Sequence, residues 1–147
     1  KSDNSTIISQ IIIDQNKKID NYISKNLENN YLNSKKGFFY FFQKTNNLSA
    51  KKPEFGDIIT FNYSVKDLKN NLIYEEDLVG DQSYIMGKQE IITGLREALQ
   101  LLKNGEIATF IFPSYKAYGI YGDNNKIPPN SAIICTIKVK SINSNQN

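Results

Sequence analysis

Three groups of side chains have the types and spacing to do chemistry. Tyr84 and Lys88, in Tyr84-Ile-Met-Gly-Lys88, have the Tyr-x-x-x-Lys spacing that serves hydride transfer to nicotinamides. No Gly-rich strand-turn-helix precedes the pair, so no dinucleotide site supports that reading. Glu75, Glu76, Asp77 and Asp81 form an acidic cluster. It lacks the alternating carboxylates and central glycine of a calcium loop, so it reads as a solvated loop. The third group is aromatic and apolar. Tyr63, Tyr74, Ile91, Ile92, Tyr118 and Ile127 fall at strand ends and in loops, where polar residues are expected. Ordinary core packing accounts for each of them singly. Convergence on one apolar pocket rimmed by phenolic hydroxyls, able to hold an apolar peptide segment, accounts for them together.

Composition narrows the chemistry further. The chain has no histidine, which removes Ser-His, Cys-His and His-metal mechanisms. Its single cysteine, Cys135, excludes an intrachain disulfide and paired-cysteine metal or redox sites. No Walker sequence and no Gly-x-Gly-x-x-Gly occurs. Any activity must rest on carboxylates, tyrosines, lysines or pocket shape. Net charge is +3, and all of it sits in residues 1–50, which hold seven lysines against four acidic residues. The remainder is neutral and holds the one arginine, Arg96, so a nucleic-acid partner is not expected. No run approaches the roughly 20 apolar residues of a membrane span.

Elements must hold these residues in place, and hydrophobic periodicity locates them. Ile8, Ile12, Ile19, Ile23 and Leu27 recur at spacings of four and seven, which predicts a helix from Ser5 to Leu27, with Ser5 or Asp3 as N-cap. Such an arm either packs on its own domain or serves dimerisation or tethering. Phe38 to Phe42 is a dense aromatic run with strand propensity. Ile59, Phe61, Tyr63 and Val65 alternate with polar residues in a strand over 58–65, and a short return strand follows over 72–75. Leu95, Leu99 and Leu102 make one stripe of a helix over 91–102, closed by Asn104-Gly105. Strands over 107–112 and 132–139 complete the set, the last with Ile133, Cys135, Ile137 and Val139 on one face. Between them, Pro113 to Pro129 exceeds the ~12–15 residues at which an unstructured loop is usually functional or disordered, and its tyrosines argue against disorder. The sum is an α+β pattern, an antiparallel sheet with one helix laid across it.

The order of motifs then carries a resemblance. Gly56-Asp-Ile-Ile-Thr-Phe-Asn-Tyr63 resembles the opening strand of FKBP-type peptidyl-prolyl isomerases, and Met86-Gly-Lys-Gln-Glu-Ile-Ile-Thr-Gly94 is similar to their turn into the helix. Ala117-Tyr-Gly119, followed by Ile127-Pro-Pro129, resembles their long loop. Each motif alone is weak, but their shared order and spacing across residues 35–142 are specific. The helix followed by Gly37-Phe-Phe-Tyr40 also resembles the lead-in of secreted and lipid-anchored bacterial members, nearest to the gliding-motility-associated isomerase lipoproteins.

The resemblance implies a curved antiparallel sheet wrapped around one short α-helix, here an isomerase domain over 35–147 preceded by a helical arm over 1–34. It implies interconversion of X-Pro bonds in client polypeptides without cofactor, metal or covalent intermediate. Tyr118 would donate its hydroxyl to the substrate carbonyl. Tyr63 and Tyr74 would form aromatic walls, and the backbone N–H of Ile92 would face the ligand. Ile91 and Ile127 would line the proline slot. The chain departs from the family in having Glu75 where aspartate is common, Leu95 where the pocket floor is usually tryptophan, and Gln82 and Cys135 at positions that tend to be aromatic. These departures predict reduced turnover, and they keep open a non-catalytic peptide-binding or chaperone module of a bacterial envelope or gliding machinery. The resemblance places the protein on the periplasmic side of a membrane, with lipid attachment just before Lys1; the alternative is the cytoplasm.

Overall fold

The computed structural model describes residues 4–48 and 51–144. Seven antiparallel strands among these residues form one sheet: β1 (Leu32–Asn33), β2 (Phe39–Lys44), β3 (Ile58–Lys66), β4 (Leu72–Tyr74), β5 (Gln82–Ile85), β6 (Ile107–Phe112) and β7 (Ile133–Asn143). Their spatial order is β1-β2-β6-β7-β3-β4, and β5 pairs with β3. The long pairing of β3 with β7 forms the middle of the sheet. On its other edge β3 meets β5 through Ile58 to Phe61 and β4 through Val65 and Lys66, so one strand positions both lips of a groove. Register shifts between Thr60 and Phe61 and between Phe42 and Lys44 insert bulges, which bend strands and increase twist.

Among the described residues three α-helices accompany the sheet: α1 (Asn4–Ser24), α2 (Glu76–Val79) and α3 (Thr93–Leu99). α3 lies on one face, where Leu95, Ala98 and Leu99, with the following Leu102, are buried against Ile59, Phe61, Phe110 and Phe112. The approach is close at Gly94, where a Cβ would stand 2.8 Å from both the Lys116 carbonyl oxygen and the Phe112 ring. α1 covers the opposite face, burying Ile19 against Ile111, Ala132 and Ile134. Alternation along β6 and β7 makes this two-sided packing possible, because neighbouring residues of a strand point to opposite faces. Phe110 and Phe112 face α3 while Ile111 faces α1, and Ile133 and Cys135 face α3 while Ile134 faces α1.

Several elements differ from the sequence reading. The arm helix ends at Ser24 rather than Leu27, because the Asn26 side chain donates to the Tyr22 carbonyl and a separate short turn follows over Leu27–Asn29. Asp3 lies outside the described residues, and Ser5 is inside the helix. The helix expected over 91–102 spans only Thr93–Leu99. Ile92 is still extended, and the N–H groups of Leu101 and Leu102 bond three residues back, to Ala98 and Leu99, tightening the last turn. The final strand runs on to Asn143, since Ser141 to Asn143 pair with Ile58 to Thr60 beyond the bulge. β1, β5 and α2 had no counterpart in the sequence reading; each is two to four residues long, too short for a periodic signal.

Candidate functional site

Two adjoining cavities open along the edge formed by β3, β4 and β5. The larger, about 570 Å³, lies between β4, α2 and the long loop, with Tyr74, Glu75, Leu78 and Asp123 in its wall. The smaller, about 350 Å³, lies over the entry to α3, with Phe61, Tyr84, Ile91, Ile92 and Leu95 in its wall. Tyr63, Gln82 and Tyr118 line both, so the pair forms one groove with two tyrosines at its waist.

Tyr118 stands on the loop between β6 and β7, just after a short helical turn over Ser114–Lys116. Its hydroxyl has no hydrogen-bond partner among the described residues. Burial, aided by Tyr63, Cys135, Asp123 and Tyr74, pushes its pKa up to about 12. The group is therefore a neutral O–H donor throughout the physiological range, available to something that enters the groove. Tyr63, on β3, is raised for the same reason, burial first and then the neighbouring Cys135 and Tyr74. The backbone N–H of Ile92 is likewise engaged by no described residue, because Ile92 is the N-cap of α3 and only its carbonyl is used, accepting from Arg96.

Tyr74 plays a different part. Its ring lines the groove, but its hydroxyl donates a short hydrogen bond to Asp123. Asp123 in turn accepts from the N–H groups of Ile127 (2.8 Å) and Asn125 (3.0 Å). Burial raises the Asp123 carboxyl, but these three donors outweigh it and hold the group below its usual range. The loop is pinched shut nearby, since a Cβ on Gly122 would meet the Ile127 carbonyl oxygen at 2.3 Å. Asp123 is a site residue that the sequence reading missed. Its signal was the Asp123-Asn-Asn turn after Gly122, whose side chain bonds its own backbone two and four residues on.

The remaining candidates divide into groove wall and support. Ile91, Ile92 and Leu95 line the smaller cavity. Glu75 lines the larger one, exposed, and its carboxylate has no hydrogen-bond partner among the described residues; the carboxylate tied to a tyrosine is that of Asp123. Ile127 and Cys135 are 3% and 1% exposed and belong to the core beneath the groove rather than to the lining of either cavity. Burial also pushes the Cys135 thiol far up, so it is inert as a nucleophile. Gln82, at the waist, spends its amide on the carbonyls of Val79 and Gly80 at the end of α2.

Tyr84 and Lys88 are not brought together. Tyr84 is 3% exposed in the core, whereas the Lys88 ammonium sits 5.7 Å above the Phe55 ring. The acidic cluster disperses into surface ion pairs, Glu76 with Lys138 and Asp81 with Lys140. Among the described residues no group of three or more metal-ligating side chains forms.

Comparison with known proteins places the chain. The family model for the FKBP-type peptidyl-prolyl cis-trans isomerases matches residues 49–140. A probable FKBP-type isomerase named FkpA from Neisseria meningitidis serogroup B is 31% identical over 98 residues, 67% of this chain and 36% of that protein. The isomerase Mip of Coxiella burnetii is 29% identical over 93 residues, 63% of this chain and 40% of that protein. The crystal structure of FkpA from Escherichia coli shares the fold, with a TM-score of 0.73 at 18% identity over 95% of this chain and 64% of that one. This chain belongs to the FKBP-type peptidyl-prolyl cis-trans isomerase family, and it spans well under half the length of the curated relatives it matches.

Proposed function

We propose that this member of the family accelerates cis/trans rotation of X-Pro bonds in client polypeptides, with the two-part groove as its site. Rotation about the bond faces a barrier of about 18–20 kcal/mol from amide resonance. Uncatalysed, it takes tens to hundreds of seconds. The reaction needs no bond-making, and so no nucleophile, metal or cofactor. It needs a surface that binds the twisted amide more tightly than the planar one. The twisted amide has lost resonance and charge separation, so a groove walled by Tyr63, the Tyr74 ring, Ile91, Ile92 and Leu95 favours it. Tyr118 donates to the substrate carbonyl oxygen while the bond turns, and the free N–H of Ile92 anchors the chain beside it. Ile127 and Cys135 support the groove from the core beneath it. Glu75 borders the part of the groove that takes residues flanking the proline, where Leu78 adds apolar surface.

The single observation that carries this reading is the unpaired, half-buried hydroxyl of Tyr118 at the waist of the groove. Exchange NMR on a short X-Pro peptide, without a coupled protease, tests it. Acceleration that largely disappears in Tyr118→Ala supports the site, and unchanged turnover in that variant refutes it. A second reading, a peptide-binding or chaperone module, is favoured by the short Leu95 floor and by Gln82, whose amide is committed elsewhere. It predicts peptide-induced shifts at Tyr63 and Ile92 with no acceleration.

We also propose that the isomerase domain is residues 35–147, preceded by a helical arm over 1–34, and that the protein works on the periplasmic side of a bacterial membrane. No described helix is long and apolar enough to cross a membrane. A precursor sequence with a signal peptide and a cysteine just before Lys1 would support lipid attachment, and one without them would end that idea. A place in gliding machinery rests on the sequence pattern alone. Ile7, Ile8 and Ile13 of α1 are exposed and serve dimerisation or tethering of the arm; a monomeric mass in solution would exclude dimerisation.

A further inference from the structure

The apolar stripe of α1 has a gap. Ile12 and Ile19 are seven residues apart, and the position between them on the same face is Gln15. Gln15 is 6% exposed, an unusual place for a carboxamide unless its hydrogen bonds are satisfied. They are. Its Nε2 donates to the Ser114 hydroxyl at 2.7 Å and to the Asn130 carbonyl at 2.9 Å, and its Oε1 accepts from the Ser114 N–H at 2.9 Å. The orientation of the amide is dictated by chemistry, because a backbone N–H only donates and a backbone carbonyl only accepts.

Ser114 and Asn130 bracket the loop that carries Tyr118, and both reach its immediate neighbours. The Ser114 carbonyl accepts from the N–H groups of Ala117 and Gly119, one on each side of Tyr118, at 2.9 Å each. The Asn130 N–H donates to the Gly119 carbonyl, also at 2.9 Å. One side chain on the N-terminal helix therefore ties together both ends of a hydrogen-bonded ring that closes around Tyr118. Hydrophobic contact under Ile19 holds the helix on the sheet but is non-directional, whereas the three bonds of Gln15 specify a position.

We infer that Gln15 is a positioning residue: it sets where the Tyr118 hydroxyl stands in the groove, and makes the helical arm part of the catalytic apparatus. The inference rests on the isomerase reading given above. Gln15 touches no substrate and acts through Ser114, Asn130 and Tyr118. Displacements of an ångström in such a group are costly to rate, up to about a hundredfold.

The test uses the full chain, with Gln15→Met, which keeps length and helix propensity but removes all three bonds. Turnover of an X-Pro peptide is measured by exchange NMR, together with hydrogen exchange of the Ala117 and Gly119 amides. The variant is expected to lower kcat about tenfold, to leave KM within about twofold, and to speed exchange of both amides. The same substitution is then made in the Tyr118→Phe background. If Gln15 acts through the Tyr118 hydroxyl, it costs little more there. An equal fold-loss in both backgrounds, or wild-type exchange at Ala117 and Gly119, would overturn the inference. Should Gln15→Met not fold, Ser114→Ala removes one of the three bonds from the other side. It is expected to move the same amides and kcat in the same direction, by a smaller factor, and no movement overturns the inference. The two readings fail separately. A wild-type chain that does not accelerate rotation sinks the isomerase reading and the catalytic consequence of Gln15, while amide exchange still shows whether the clamp holds the loop.

Discussion

The two faces of the sheet are built on different principles. Under α3 the packing is aromatic and apolar. Phe38 meets Phe112 and Phe110 edge-on with centroids 5.3 and 5.9 Å apart, and Phe110 stacks on Phe112 at 5.7 Å. On the sheet face that α1 covers the buried apolar cluster is small, Ile19 with Ile111, Ala132 and Ile134, and polar contacts share that face: Gln15 with Ser114, and Thr109 with Thr136 at 2.8 Å. Apolar area supplies free energy without direction, and hydrogen bonds supply direction with modest net free energy. The α3 face therefore holds the molecule together and walls the groove, while the α1 face fixes where the arm and the loop sit. The concavity beside α1, about 770 Å³, is larger than either part of the groove, and Lys18, Lys25, Lys69 and asparagines line it together with Tyr22, Leu68 and Ala132.

Substitutions that treat the two faces alike would break this comparison. Phe110→Ala, fully buried on the α3 face, is expected to cost about 3–5 kcal/mol in denaturant unfolding. Ile19→Ala on the other face is expected to cost about 2 kcal/mol, three methylene equivalents at roughly 0.8 each. Equal losses in the two would mean that the arm is as deeply integrated as the core. Tyr118→Phe sharpens the contrast from the groove side. It deletes one hydroxyl that no described residue uses, so the melting temperature should not move, while kcat/KM should fall about tenfold, the worth of one hydrogen bond of about 1.4 kcal/mol.

Smaller effects follow from titration. The Asp123 carboxyl lies below its usual range in the folded chain, so its contribution is fully present above the unfolded value and is lost as pH falls through the folded one. Peptide titrations followed by NMR should show wild-type affinity dropping only in that acid range. Asp123→Asn should bind about twofold more weakly at neutral pH, with one weaker acceptor for Tyr74, and show no acid step. Smallest of all is the expected pH dependence of turnover near neutrality. With Tyr118 raised to about 12 and no histidine in the chain, kcat/KM should be flat from about pH 6 to pH 9. A bell-shaped profile there would place a different group in the site.

Much of this was legible from the chain. The strand over Ile107–Phe112, the shared face of Ile133, Cys135, Ile137 and Val139, and the buried stripe of Leu95, Leu99 and Leu102 all follow from local periodicity. Periodicity failed where pairing partners set the ends, as in β7 beyond Val139, and where elements are too short to repeat, as in α2 and β5. For the site, residue type pointed to the tyrosines and isoleucines that line the groove. It did not separate Glu75, which is exposed and unbonded among the described residues, from Asp123, which closes the loop. Both are acids in turn-rich sequence, and only their neighbours in space differ.

By itself, the sequence determined the longer elements, their order and the chemistry excluded by the missing histidine, because alternation, helical spacing and composition are properties of neighbouring residues. Which face of the sheet the arm would cover, and that Gln15 would reach Ser114 and Asn130, 99 and 115 positions away, was decided only by tertiary structure. A buried carboxamide must find partners, but a linear pattern does not say which, since those partners come within hydrogen-bond distance only after β6 and β7 have paired and α1 has docked across them.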